Sequence, residues 1–299
     1  MNVTIVVPTL NEEKGIGGVV ADFKRLGFDV LVVDGGSKDR TREIAEKNGA
    51  KVILQTGKGK GNAVSDAFKI LDSDVIVLVD GDGSYPAEEV HKLLEPIKSG
   101  LSDHVIGNRF HSYEKGAFTR LNLFGNKILN FFFRFAYGVS LNDILSGYRA
   151  LKKEVYKSIE IKKSGFEVEV ELTVETLAKG FRVTEVPISY RKREGKTKLK
   201  PIRDGFRIGK AIYEMLRRYS PARYIYLLGA IFLFLGLITG LYVLYGWFRG
   251  ITHILLAMLT TMFILMGVQF FVFGLITHLL FRSTTELRKE INELRRKLG

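Results

Sequence analysis

Cysteine is absent from the 299 residues, tryptophan occurs once and proline six times. Without cysteine there is no disulfide framework, no thiolate nucleophile and no sulfur-bound metal. The histidines, His91, His104, His111, His253 and His278, are scattered with no zinc-type spacing between them. The chain also lacks a G-x-x-x-x-G-K-[ST] phosphate loop, a G-x-G-x-x-G turn after its first apolar run and a G-x-S-x-G elbow. These absences argue against P-loop ATPases, dinucleotide dehydrogenases and α/β-hydrolases.

Positive charge is in excess, with 45 Lys and Arg against 32 Asp and Glu, a net +13. The excess is local. Residues 1–190 hold 26 of each sign, whereas residues 191–223 hold 12 against 3 and residues 282–299 hold 6 against 3. Nucleic acid is gripped through clustered Lys and Arg, so a neutral first 190 residues predicts no nucleic-acid partner. Anionic membrane lipids fit the basic segment better.

Two runs, 224–248 and 250–281, contain no Asp, Glu, Lys or Arg. Each exceeds the roughly 20 residues that a bilayer-spanning helix needs. They predict a transmembrane hairpin near Tyr224–Tyr245 and Ile254–Leu280. Arg217, Arg218 and Arg223 precede it, Arg282, Arg288 and Lys289 follow it, and the connection carries only Arg249 and His253. The positive-inside rule then puts residues 1–223 and both termini in the cytoplasm. Gly229, Gly236 and Gly240 would let membrane helices approach closely, which makes a homo-oligomer conceivable. Within 201–219, Ile202, Phe206, Ile208 and Ile212 recur between Arg203, Arg207 and Lys210. This pattern predicts an amphipathic helix on the membrane surface. The expected divisions are a soluble domain over 1–200, this juxtamembrane helix over 201–223, the hairpin over 224–281 and a charged tail helix over 282–299.

The first part alternates strand and helix patterns. Strands are predicted at Val3–Val7, Asp29–Val33, Lys51–Leu54 and Val75–Val79, and helices at Gly15–Leu26, Thr41–Asn48 and Ala63–Leu71. The alternation implies an α/β fold, a mostly parallel, doubly wound sheet with helices on both faces. Such sheets bind ligands beyond the carboxyl ends of their strands. Three polar clusters fall there: Pro8–Glu12, Asp34–Asp39 and Asp80–Ser84. In Asp80-Gly81-Asp82, two carboxylates can converge on one hard cation, Mg²⁺ or Mn²⁺, which would neutralise a diphosphate leaving group. The Gly57-Lys58-Gly59-Lys60-Gly61 loop opens a helix and can hold phosphate with backbone amides and Lys60.

Eight segments occur together in order: Val7–Glu12, Val33–Asp39, Gly59–Gly61, Asp80–Gly83, Gly107–Arg109, Asp143–Arg149, Glu185–Ile188 and Gly195–Leu199. As an ordered set over about residues 3–200, they resemble the family 2 glycosyltransferases of GT-A (Rossmann-like) fold. Within that family they are similar to the dolichyl- and polyprenyl-phosphate sugar synthases. The resemblance implies an inverting transfer of one sugar from a nucleotide-sugar, such as GDP-mannose, UDP-glucose or UDP-GlcNAc, to dolichyl or polyprenyl phosphate. Pro8, Asn11 and Glu12 would lie beside the nucleotide, Asp34 would hold the base or ribose, and Lys60 would meet phosphate. Asp80 and Asp82 would carry the metal. Arg109, Arg120 and Arg149 would grip the acceptor phosphate, Arg193 and Lys198 either phosphate group, and Glu171 would orient sugar or acceptor. Two positions depart from the family pattern. Gly35 stands where relatives often have a second Asp, and Ser84 where mannosyl-transferring relatives often have Gln, so sugar and nucleotide stay open. Other readings are a membrane enzyme extending a polysaccharide, for which two membrane helices are few, and a non-enzymatic membrane scaffold or nucleic-acid binder, against which the neutral first 190 residues argue.

Overall fold

The computed structural model describes residues 1–165, 167–193, 201–219 and 221–298. The alternating half runs β1 (Val3–Thr9), α1 (Ile16–Arg25), β2 (Asp29–Asp34), α2 (Thr41–Lys47), β3 (Lys51–Leu54), α3 (Lys60–Ile70) and β4 (Val75–Leu78). These strands pair in parallel in the order β3-β2-β1-β4. Then follow α4 (Val90–Lys98), β5 (His104–Tyr113), α5 (Arg120–Tyr137), β6 (Arg149–Lys152), α6 (Lys153–Ser158), α7 (Val168–Ala178) and β7 (Val183–Tyr190). The completed seven-stranded sheet has the order β3-β2-β1-β4-β6-β5-β7. Strand β6 runs antiparallel to β4 and β5, and β7 returns parallel to β5.

Successive strand residues point to opposite faces, so a strand covered on both sides is apolar throughout. All four residues of β4 are buried. In β1, Ile5 and Val7 join Phe23, Leu93 and Tyr148 in one core layer, while Val6 joins Phe68, Ile76 and Tyr156 in the other. Helices therefore cover both faces, as the alternation predicts. Helix α3 begins at Lys60, three residues before its predicted start, because Gly59 takes φ +95° and turns the chain straight into the helix.

The C-terminal part is α8 (Pro201–Tyr219), α9 (Pro221–Phe248) and α10 (Ile254–Leu298), and α10 continues without a break into the predicted tail helix. The chain divides into two compact units, Met1–Ile212 and the residues from Tyr213 onward. Within the second unit, Ala222–Phe248 and Ile254–Leu280 are long and apolar enough to cross a membrane. They pack on each other through small residues. A Cβ on Gly236 would meet Ile264, and one on Gly267 would meet Leu233. Thr260 Oγ1 donates a hydrogen bond to Thr239 Oγ1 at 2.9 Å. Gly229 and Gly240 likewise face α10, at Phe271 and Thr260. These glycines thus let the two helices of the hairpin approach each other closely. Helix α8 also differs from expectation, because Ile208, Ala211 and Ile212 are buried while Phe206 is 77% exposed. Among its described side chains, the apolar residues are thus divided between a buried set and an exposed one.

One ion cluster ties the starts of β5 and β7 to the end of the antiparallel β6. Asp103 accepts the backbone N–H of Arg182 (3.0 Å), its Nε and Nη2 (3.2 and 3.1 Å) and Lys152 Nζ (3.1 Å). Burial alone would raise the Asp103 carboxyl, but these partners bring it down to about 2. A carboxyl held below its unfolded value of about 3.9 stabilises the fold above that pH and loses the effect as pH falls toward 2. Asp103→Asn is expected to cost about 1–2 kcal/mol at pH 7. The deficit should shrink between pH 5 and pH 3, read from thermal midpoints of the two proteins. A deficit independent of pH would contradict the assignment.

Candidate active site

The carboxyl ends of β1, β2 and β4 meet at one edge of the sheet. Asp80-Gly81-Asp82 leaves β4 in a turn so close to β1 that a Cβ on Gly81 would lie 2.8 Å from Thr9 Cγ2. A Cβ on Gly15, just before α1, would likewise lie 2.7 Å from the Asp82 carbonyl carbon. Only residues without a side chain fit these places, and the crowding fixes both carboxylates. Asp82 Oδ1 accepts the Ser84 N–H (3.0 Å) and hydroxyl (2.5 Å), and its Oδ2 lies 3.5 Å from Arg193 Nη2. Asp80 Oδ1 accepts from Lys60 Nζ at 2.5 Å, and the same ammonium reaches Glu169 Oε1 at 2.7 Å. Burial alone would raise the Asp80 carboxyl, but Lys60, then Arg109 and Arg193, pull it below its ordinary value. Burial would likewise lower Lys60, and Asp80 and Glu169 raise it well above an ordinary lysine. Both groups are therefore held charged.

Two cavities meet at these side chains, and each is lined by Lys60, Asp80, Asp82 and Arg193. The first, about 410 Å³, extends past Pro8, Glu12, Gly35, Gln55 and Lys58. Its walls are the β1–α1 and β2–α2 loops, laced to each other. Asn11 adopts φ +51°, its N–H donates to Ser37 Oγ, and its Oδ1 accepts the Lys38 N–H at 2.8 Å. Asp34 is fully buried and accepts from the Gly36 and Ser37 N–H groups and the Ser37 hydroxyl. Its carboxylate shapes the loop, so the expected direct contact with base or ribose is not what this geometry offers. Gly35 lines the cavity instead.

The second cavity, about 460 Å³, runs past Arg109, Phe118, Asn122, Asn126, Tyr190 and Lys192. Arg109 Nε and Nη2 donate to the two oxygens of Asp143, each at 2.7 Å. Its guanidinium carbon sits 5.3–5.4 Å from the Tyr190 and Phe118 ring centres, a distance for cation–π attraction. Asp143 is presented by a loop whose N–H groups, at Asn142 and Asp143, donate to Glu185 Oε1 at 2.7 and 2.6 Å. This gives the Glu185-Val186-Pro187 segment a physical role.

Some predicted residues lie elsewhere. Arg149 is fully buried and donates to the carbonyls of Ser146 (2.7 Å) and Ile144 (2.5 Å) and to Thr173 Oγ1 (2.7 Å). It supports the loop that carries Asp143 and does not reach an acceptor phosphate. Glu171 accepts the N–H groups of Lys162 (3.1 Å) and Lys163 (2.8 Å). That loop in turn abuts Gly59 and Gly61, with the Gly61 N–H donating to Ser164 O at 3.0 Å. Glu171 thus braces the turn that presents Lys60. Arg120 is exposed at the start of α5, beside the cavity-lining Thr119 and Leu121. Lys198 lies outside the described residues. Sequence reasoning missed Glu169, Asp143, Tyr190 and Lys192. Glu169 carried a signal, since residues two apart on a helix face different ways and only one of Glu169 and Glu171 could point to the site.

The residues suit a hard divalent cation. The donor set at Asp80 and Asp82 is all oxygen, and Glu169 Oε2 is buried without a hydrogen-bond partner. Among the described residues there is no group of three or more His, Cys, Asp or Glu able to hold a metal. The protein's share would be the two aspartates, with the other positions left to substrate oxygens and water. Ser84 orients Asp82 and is itself fully buried.

A mostly parallel α/β sheet with two clefts joined at a D-x-D turn has the architecture of the GT-A fold. A model of the family described as "Glycosyl transferase family 2" matches residues 4–160. The chain belongs to that family and is a glycosyltransferase. It is 41% identical over 297 residues to "Glycosyltransferase AglJ" of Haloferax volcanii, covering 98% of each chain. It is 40% identical over 220 residues to that organism's "Dolichyl-phosphate hexose transferase", covering 72% of this chain and 93% of the relative. It is also 34% identical over 233 residues to the "Dolichol-phosphate mannosyltransferase" of Pyrococcus furiosus, covering 73% and 62%. Among solved structures, glucosyl-3-phosphoglycerate synthase of Mycobacterium tuberculosis, in complex with Mn²⁺, UDP-glucose and phosphoglyceric acid, matches in fold. Its TM-score is 0.60 at 23% identity, covering 72% of this chain and 79% of that one.

Asp143→Ala would strand the enclosed Arg109 charge. A cost of about 3–5 kcal/mol is expected, as for removal of one partner of a buried ion pair. The exposed Arg120→Ala should stay within about 0.5 kcal/mol. Chemical unfolding of the two variants checks this, and equal effects would contradict the role given to Asp143.

Proposed function

We propose that the protein transfers one sugar from a nucleotide-sugar to the phosphate of a dolichyl or polyprenyl lipid at a membrane surface. The observation that carries this reading is the meeting of two cavities at Asp80 and Asp82. One suits a nucleotide and the other, lined by Arg109 and Lys192, suits a phosphate. The names of the relatives from Haloferax volcanii and Pyrococcus furiosus support a lipid-phosphate acceptor, and the two apolar helices support a membrane setting.

In this reading Pro8, Glu12 and Gly35 flank the nucleotide, and the turn at Asp80 and Asp82 receives the diphosphate. A divalent cation bound there would neutralise charge developing on the departing nucleoside diphosphate. Lys60 supplies a fixed positive charge on the same side. Arg109, held rigid by Asp143 and the Phe118 and Tyr190 rings, steers the acceptor phosphate with Lys192 and Arg193. A phosphate oxygen is already ionised at neutral pH, so positioning and charge stabilisation suffice without a strong general base. Attack from the second cavity on the sugar held at the first is a single displacement, which inverts the anomeric carbon.

Membranes containing the protein, incubated with polyprenyl phosphate, Mg²⁺ or Mn²⁺ and labelled GDP- or UDP-sugars, should move label into the lipid phase with one donor. No transfer from any donor would refute the proposal. Asp82→Ala should reduce transfer by at least about 100-fold, and retained activity would remove the role given to the turn.

A further inference from the structure

The two apolar helices meet along one side of α10, marked by Thr260, Gly267 and Gly274. Thr260 bonds to Thr239, and a Cβ on Gly267 or Gly274 would lie 2.6 Å from Leu233 or Tyr226 of α9. Gln269 stands two residues beyond Gly267, about 200° around the helix, and is exposed. No other Asn, Gln or charged residue occurs in Ile254–Leu280, and Gln269 is about 3 Å along the axis from its midpoint. Nearby hydroxyls are satisfied on their own helix, Thr261 at the Ala257 carbonyl and Thr277 at that of Phe273. The Gln269 amide has no hydrogen-bond partner among the described residues.

A primary amide offers two donors and an acceptor. At mid-span there is no water to meet them, and leaving them unmade is costly. The exposure of its neighbours Met262, Leu265, Phe273 and Ile276 decides nothing, since lipid covers any lone span. The amide is what calls for a partner, and that partner needs an amide-like group at the same depth. A second copy inserted in the same direction supplies one, because a two-fold axis along the membrane normal brings Gln269 to Gln269. The tail points the same way. In the sequence Leu287, Ile291, Leu294 and Leu298 follow at intervals of four, three and four on the same unbroken helix. At 100° per residue these positions fall within about 40° of the bearing of Gln269. Leu at d with Ile at a is the pattern of a parallel two-stranded coiled coil. Glu290 then takes a g position and Arg295 the following e position, opposite charges that attract across a parallel seam. We infer that α10 pairs in parallel with α10 of a second copy, along one seam that runs from Gln269 in the span to Leu298 in the tail. The inference rests on the membrane setting proposed above and is independent of the sugar acceptor.

The absence of cysteine makes a site-specific test available in the full chain. Single substitutions Ile276→Cys and Leu294→Cys lie on the seam, whereas Leu275→Cys and Leu237→Cys, also at exposed positions, lie off it. Oxidation of membranes containing each variant should give a disulfide-linked dimer at the two seam positions, at least about fivefold above the controls, because bridging requires Cα atoms within about 7 Å. No dimer at either seam position, or equal yields at all four, would overturn the inference. In detergent micelles, sedimentation equilibrium of the cysteine-free chain should show a dimer whose dissociation constant rises about tenfold in Gln269→Leu. Gln269→Asn, which keeps an amide at nearly the same depth, should restore most of the affinity, and Thr261→Val should leave it unchanged. A monomer throughout, or a dimer indifferent to Gln269→Leu, would refute the role given to the amide. Release of the protein from membranes by alkaline carbonate would refute the membrane setting itself. Retention without cross-linking would refute the pairing alone.

Discussion

The ammonium of Lys60, shared between Asp80 and Glu169, is the contact on which the site depends. Two carboxylates beside an enclosed cleft would repel each other and bear a heavy desolvation cost if left alone. Lys60 lies 2.5 and 2.7 Å from them and Arg193 lies 3.5 Å from Asp82, so Asp80 is kept ionised and the turn after β4 is held in place. Space is equally tight: a Cβ on Gly147 would sit 2.6 Å from Asp80 Oδ2 and 3.0 Å from Lys60 Nζ. An arriving cation and diphosphate must take over charge compensation that these side chains now provide, which makes binding an exchange of partners.

Much of the surrounding machinery exists to hold that cluster. Glu171 fixes the 162–164 backbone, which abuts Gly59 and Gly61 and so places Lys60. Arg149 fixes the carbonyls of Ile144 and Ser146, in the loop from which Asp143 grips Arg109. Asn11 and Asp34 lace the two loops that form the nucleotide side. Buried charged groups of this kind act through geometry. Their loss would be felt at the site even though none of them needs to touch a substrate.

The sheet and its ligand edge were legible in the residues, because β1, β2 and β4 are short apolar runs that each end in a polar cluster. The second half was not. Strand β5 mixes His104, Asn108 and Arg109 with apolar residues, and β7 is only half-buried, so neither has a clear period. The motifs located Asp80, Asp82 and Arg109 at a common cleft, but motif membership cannot separate a residue that faces the cleft from one that braces it. Arg149 and Glu171 were misassigned for that reason, and Glu169 was overlooked.

The most direct test is the anomalous signal of Mn²⁺ in the full-length protein prepared with a nucleoside diphosphate. The account predicts a single manganese between the Asp80 and Asp82 carboxylates, bridged to the diphosphate, with Lys60 still paired to Glu169. Manganese bound elsewhere, or diphosphate bound with both aspartates turned away from it, would contradict the account.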